Sequence, residues 1–187
     1  MVNPSQQQSD EAARVAALDP DTLEFLQQVI DAARAGDAER IAPLLERGLP
    51  PNLRSQKGDS LLMLACYHGH HALAKQLLEH GADTELSNDR GQTPLAGAAF
   101  KGDIAMIELL LEHGADVEGA GPDGKTALMM AAMFNRTDAI DLLASRGANP
   151  AACDASGMSA IDAAHAMGAE DSVARLTDLL AGSGRQA

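Results

Sequence analysis

Residues 91–116 read GQTPLAGAAFKGDIAMIELLLEHGAD, and they hold two short helices with their punctuation. Thr93 can accept a bond from a free backbone N–H at a helix start, and Pro94 occupies the favoured first helical position. A small apolar run, Leu95 to Ala99, then ends at Gly102, a residue suited to a left-handed C-terminal cap. A second helix follows at once, carries Leu110 and Leu111 toward a core, and closes at Gly114.

Outward from this stretch the same punctuation recurs every 33 residues. Gly58, Gly91, Gly124 and Gly157 share one phase, and Gly48, Gly81, Gly114 and Gly147 share another. A third ladder runs Gly36, Gly69, Gly102, Asn135, Gly168, with Asn, the other residue that tolerates a left-handed backbone, at its one break. Ser60, Thr93, Thr126 and Ser159 stand two positions after the first ladder, each a potential N-cap. Polar stretches such as Asp83 to Arg90, with Asn and Asp, and Asp116 to Asp123, with Asp and Gly, turn the chain back to the next unit. The pattern predicts an all-α solenoid of stacked helix–turn–helix units joined by hairpin-like loops.

Gly91-Gln92-Thr93-Pro94-Leu95, Ala98-Ala99, Gly102-Asp103, Glu108 to Leu111 and Gly114-Ala115-Asp116 resemble the ankyrin repeat, whose signature is T-P-L-H-x-A at this period. The resemblance covers residues 25 to 182. It implies full repeats at 58–90, 91–123 and 124–156, an N-terminal capping unit at 25–57 and a C-terminal one at 157–182, within a repeat domain of 22–182. The motif His is replaced throughout, by Met63, Ala96, Met129 and Asp162. In the family this His ties adjacent loops, so its loss bears on loop rigidity. Residues 1–21 precede the ladders and read as a tail or a short helix, capped at Ser9-Asp10-Glu11 and closed by Pro20. Residues 183–187 read as a disordered tail.

Composition fits a thin-layered stack. Of 187 residues 45% are hydrophobic but only 2% aromatic, so Ala, Leu and Met must fill the interior. The formal charge of -13 disfavours nucleic acid and anionic membranes as partners. No basic start followed by an apolar run is present, and nowhere do about 18 apolar residues follow one another, so a cytoplasmic protein is expected. Cys66 and Cys153 are too few and too far apart for a disulfide framework, and Cys66 reads as a small buried apolar residue. Asn135-Arg136-Thr137 spells a glycosylation triplet without the signal peptide that would expose it to the machinery.

Patterns that suggest chemistry dissolve into the repeat. Gly119 to Gly124 spells G-x-G-x-x-G, but it lies in an inter-repeat turn with no strand before it. His68, His70 and His71 are spaced for a helix junction rather than for convergence on a metal, with no carboxylate or cysteine at ligand spacing. His80 and His113 share the position before the closing glycine, where they can cap a helix C-terminus. No nucleophile sits in a recognisable elbow or triad signature. No catalytic activity, cofactor or metal is expected.

A stacked solenoid offers a concave face built of first helices and loop tips. The two positions before the glycine that closes the first helix are Tyr67 and His68, Phe100 and Lys101, Met133 and Phe134, Ala166 and Met167. Three of the four aromatic residues fall in this stripe, the fourth being Phe25. Two roles are open to these rings: pillars half-buried between helices, or anchors for a partner, a use for which aromatic residues and Met are enriched. The loop tips extend the surface with Gln56, Lys57 and Asp59, then Asp89, Arg90 and Gln92, then Asp123 and Lys125, positions through which the resembling family often recognises partners. Unit 58–90 carries five acidic and two basic side chains and unit 91–123 six and one, which points to a partner with a basic and apolar patch. The expected function is a non-catalytic protein-binding module, monomeric on its own. The alternative, by analogy with short bacterial members, is an accessory subunit stabilising one cytoplasmic enzyme, for example an antioxidant enzyme such as catalase.

Overall fold

A computed structural model describes residues 19–183 and contains ten helices in that span. They are α1 (Pro20–Ala35), α2 (Ala38–Glu46), α3 (Leu61–His68), α4 (His71–Glu79), α5 (Pro94–Lys101), α6 (Ile104–Glu112), α7 (Ala127–Met133), α8 (Thr137–Ser145), α9 (Ala160–Met167) and α10 (Glu170–Ser183). Residues 1–18 and 184–187, on which the expected N-terminal helix and most of the C-terminal tail fall, lie outside the described residues.

The predicted punctuation operates as hydrogen-bonding chemistry. The side chains of Ser60, Thr93, Thr126 and Ser159 accept the backbone N–H three residues on, each satisfying one orphan donor of a helix start. Gly69, Gly102 and Gly168 close α3, α5 and α9 at φ of 74, 71 and 69°. Asn135 does the same at φ 56°, the one non-glycine residue with positive φ among the described residues. Any β-branched residue there would be strained.

First helices and second helices differ in burial. Every residue from Leu61 to Cys66, Pro94 to Ala99 and Ala127 to Ala132 is buried, because α3, α5 and α7 each have a first helix packed on both sides. The second helices bury one stripe only: Leu73, Ala74, Leu77 and Leu78, then Met106, Ile107 and Leu110, then Ala139, Ile140 and Leu143. Small side chains (Ala65, Ala98, Ala99, Ala131, Ala132, all at 0% exposure) let the first helices approach closely, so the stack needs no aromatic bulk.

Both ends depart from the repeat. Gln27 stands where the ladder would place an N-cap, and α1 instead begins at Pro20, with Asp19 accepting the Thr22 N–H at 2.9 Å. Pro20 therefore opens a helix, and α1 begins ahead of residue 25. At the other end Leu180 stands where a closing glycine would, and α10 runs 14 residues, through Ser183.

Loop connections form a second ladder with the same period. Asn52 Oδ1 accepts the Asp83 N–H at 2.8 Å, Glu85 Oε1 that of Asp116 at 3.0 Å, and Glu118 Oε1 that of Asn149 at 2.7 Å. Closer to the loop tips, Arg54 donates to the Ser87 carbonyl at 2.9 Å, Asn88 Nδ2 to Asp59 Oδ1 at 2.8 Å, and the Ala155 N–H to the Asp123 carbonyl at 2.9 Å. These bonds tie neighbouring loops where the motif His is missing. Short antiparallel bridges, Arg54 with Ser60 and Cys153 with Ser159, give the loops their hairpin character.

Candidate protein-binding groove

Where α3, α5 and α7 end, their last turns bring the stripe residues together. Tyr67 and Phe100 stack at 5.7 Å with rings 8° from parallel, and Phe100 meets Phe134 edge-on at 4.4 Å and 79°. Such contacts are worth about 1 kcal/mol each beyond area burial. Lys101 Nζ lies 4.8 Å from the Tyr67 ring centroid, a cation–π distance. Phe100, Met133 and Phe134 pack partly against the core, whereas Tyr67 keeps 41% of its surface exposed. Phe100 and Phe134 therefore act as pillars, while Tyr67, also met edge-on by the His68 ring at 5.3 Å, stays half exposed.

Three shallow depressions follow one another between the first helices and the loop tips. One of about 210 Å³ is bounded by Arg34, Lys57, Asp59, Tyr67, His68 and Arg90 over a floor of Met63 and Leu64. A second, also about 210 Å³, lies among Arg90, Gln92, Asp123, Lys125, Met133 and Phe134 over Ala96 and Met130. The third, about 280 Å³, is framed by Met129, Met133, Asp154, Met158 and Met167. Arg90 and Gln92 border the first two, and Lys125 and Met133 the last two, so the depressions form one groove.

Of the residues singled out in the sequence, Tyr67, His68, Arg90, Gln92, Lys125, Met133 and Phe134 line this groove, and Phe100 and Lys101 support it through the Tyr67 ring. Asp89 does not join them: its carboxylate lies 3.5 Å from Arg54 NH2, within the loop layer. Sequence reasoning missed the groove floor. Met63, Ala96 and Met129 occupy the phase of the absent motif His, and three of the methionines in the groove, Met130, Met158 and Met167, lie beside them. The replaced His phase was itself the signal. In the last unit that phase holds Asp162, which accepts the Ser159 N–H at 3.0 Å and completes a capping box.

The groove's charge corrects the expectation of an acidic face. Glu79, Asp83, Glu85, Glu108, Glu112, Asp116 and Glu118, which make units 58–90 and 91–123 acidic, line none of the three depressions. They belong to the second helices and loop roots, and counting charge by unit merges those with the loop tips. Burial, then His70, Lys101 and Arg34, hold the His68 imidazole below its ordinary pKa against a smaller opposing pull from Asp59. The Asp123 carboxylate, 2.9 Å from Lys125 Nζ, raises that ammonium.

Two of the three clustered histidines stitch repeats together. His70 Nε2 lies 3.0 Å from the Arg34 carbonyl, and His71 Nε2 lies 2.9 Å from Asp103 Oδ1, each partner on a neighbouring unit. Among the described residues no group of three or more His, Cys, Asp or Glu could hold a metal ion. His80 and His113 cap helix ends, with Nδ1 at 2.8 Å from the Gln76 carbonyl and 2.9 Å from that of Leu109. Burial pushes the Cys66 thiol far up, with Asp103 adding to it, so the group stays protonated. Gly121 is required for packing, since a Cβ there would collide with the Gly91 carbonyl. Among the described residues no helix is long and apolar enough to cross a membrane.

Family models for ankyrin repeats match residues 29–120 (three copies) and residues 98–144 and 128–177 (many copies), together spanning 29–177. The chain belongs to the ankyrin repeat family. A curated ankyrin repeat protein of Pseudomonas aeruginosa is 62% identical over 53 residues, which is 28% of this chain and 31% of that relative's length. Ankyrin repeats are generally non-catalytic modules for protein–protein interaction.

Proposed function

We propose that this ankyrin solenoid binds a protein partner in the groove between its first helices and loop tips, without catalysing a reaction. The observation that carries this reading is the half-exposed Tyr67 side chain at the end of a continuous three-ring cluster, in one groove whose far end is rich in methionine. Rigid aromatic anchors set among adaptable Met side chains suit a protein interface. Phe100 and Phe134 are pre-ordered by core packing, and Phe100 and Lys101 hold the Tyr67 ring, so binding costs little side-chain entropy there. Apolar side chains of the partner would fill the depressions.

A photo-crosslinking amino acid placed at Tyr67, at Met133 and at Phe25 tests the reading in the native cell. Phe25 is 42% exposed and borders none of the groove's depressions, which makes it a matched control. Discrete adducts at 67 and 133 and none at 25 are expected. The same adducts at all three positions, or none at the groove positions, would contradict it.

A further inference from the structure

The depression at Tyr67 differs from the rest of the groove in its charge. Arg34, Lys57, His68 and Arg90 border it, against the single carboxylate of Asp59. That carboxylate accepts from Asn88 Nδ2 at 2.8 Å. The other carboxylate of these loop tips, Asp89, faces Arg54 NH2 at 3.5 Å. Arg34 meets Asp31 at 2.7 Å. No carboxylate among the described residues pairs with Lys57 or Arg90. Lys101 adds a further cation over the Tyr67 ring at 4.8 Å. In a chain of formal charge -13, unpaired cations are thus gathered at a depression that also holds the half-exposed Tyr67 side chain beside an apolar floor of Met63 and Leu64. The lowered pKa of His68, caused after burial by its cationic neighbours, reports the same positive field.

Resting on the binding role proposed above, we infer that this depression receives an acidic–apolar peptide segment of the partner, with a carboxylate held by Lys57 and Arg90 and a bulky apolar side chain on Tyr67. The guanidinium of Arg90 offers a planar fork suited to a carboxylate, and Lys57 a point charge beside it. The apolar contact supplies affinity, and the cations supply register and selection against basic segments. This partner chemistry is opposite in charge to the one suggested by counting side chains along the units.

Selection from a random peptide display library on the full chain tests the inference, with selected peptides then remade and titrated at low and high salt. Peptides pairing Asp or Glu with Leu, Phe or another bulky apolar residue are expected. Lys57→Glu/Arg90→Glu should weaken them about tenfold or more, Lys57→Gln/Arg90→Gln less, and circular dichroism should be unchanged in both variants. Binding should also raise the His68 pKa measured by NMR, since a carboxylate then faces the imidazole. A basic or uncharged consensus, no enrichment, or undiminished binding in the Glu variant would overturn the inference. If such peptides still lose binding on Tyr67→Ala, the groove remains a protein-binding surface and only its charge preference falls.

Discussion

At the end of α3 the groove is ringed by Lys57, Arg90 and His68 beside Tyr67, while between α7 and α9 it is framed by Met129, Met133, Met158 and Met167. Both ends are built from the same helix phases and the same loop geometry. The repeat therefore fixes where a side chain points, and the local substitution fixes what it offers, which is how one solenoid can carry a charged anchor site and a soft apolar one.

The methionine end divides sharply into floor and rim. Met129 is 2% exposed, whereas Met158 and Met167 are 39% and 52% exposed. Met129→Ala should lose about 2–4 kcal/mol in chemical denaturation, because a buried cavity cannot collapse inside a stack of rigid helices. Met158→Ala or Met167→Ala should lose less than about 0.5 kcal/mol. Equal losses would erase the distinction between floor and rim.

At the aromatic end the pillars and the open face should separate in the same way. Phe100→Ala removes contacts with two rings and with the core, and about 1–3 kcal/mol is expected to go with them. Tyr67→Ala should cost less by the same measurement, about 1 kcal/mol, since its contacts with the Phe100 and His68 rings and with Lys101 lie at a half-exposed surface. A larger loss at Tyr67 than at Phe100 would make the exposed ring the structural one.

The smallest effect concerns charge. Lys101→Gln should move the His68 pKa, followed by NMR, upward toward the ordinary imidazole value, because one of the cations that disfavour its protonation is gone. Since the folded-state pKa lies below the unfolded one, His68 contributes nothing above the imidazole range. As pH falls through the unfolded value the open chain takes up a proton that the folded chain resists, and stability drops. A His68→Gln variant should lose that portion of the pH dependence between pH 7.5 and 5.5.

Helix phase, caps and solenoid architecture were legible in the sequence, because glycine and Ser/Thr positions act through local backbone chemistry that needs no tertiary context. Tyr67, Phe134 and Met133 were legible as groove residues for the same reason of phase. The floor at Met63 and Met129 was not, because those residues read as a lost loop tie until the loops were seen joined by Asn88, Arg54 and the Asn52–Glu85–Glu118 ladder. The groove's charge was hidden because a count along the chain cannot separate second-helix carboxylates from loop-tip cations. At the two ends the ladder lacks its cap residue, at Gln27 and Leu180, so the period carries no signal for where α1 starts or α10 stops.

The exposed Tyr67 and Met167 side chains are assigned here to binding rather than folding. The most direct test of that assignment is the double variant Tyr67→Ala/Met167→Ala, compared with the parent for thermal stability and for retention of the partner crosslinked through the groove. A Tm within about 4 °C of the parent and at least a tenfold loss of partner retention are expected. Full retention of the partner, or a collapse of Tm with no separate effect on binding, would contradict it.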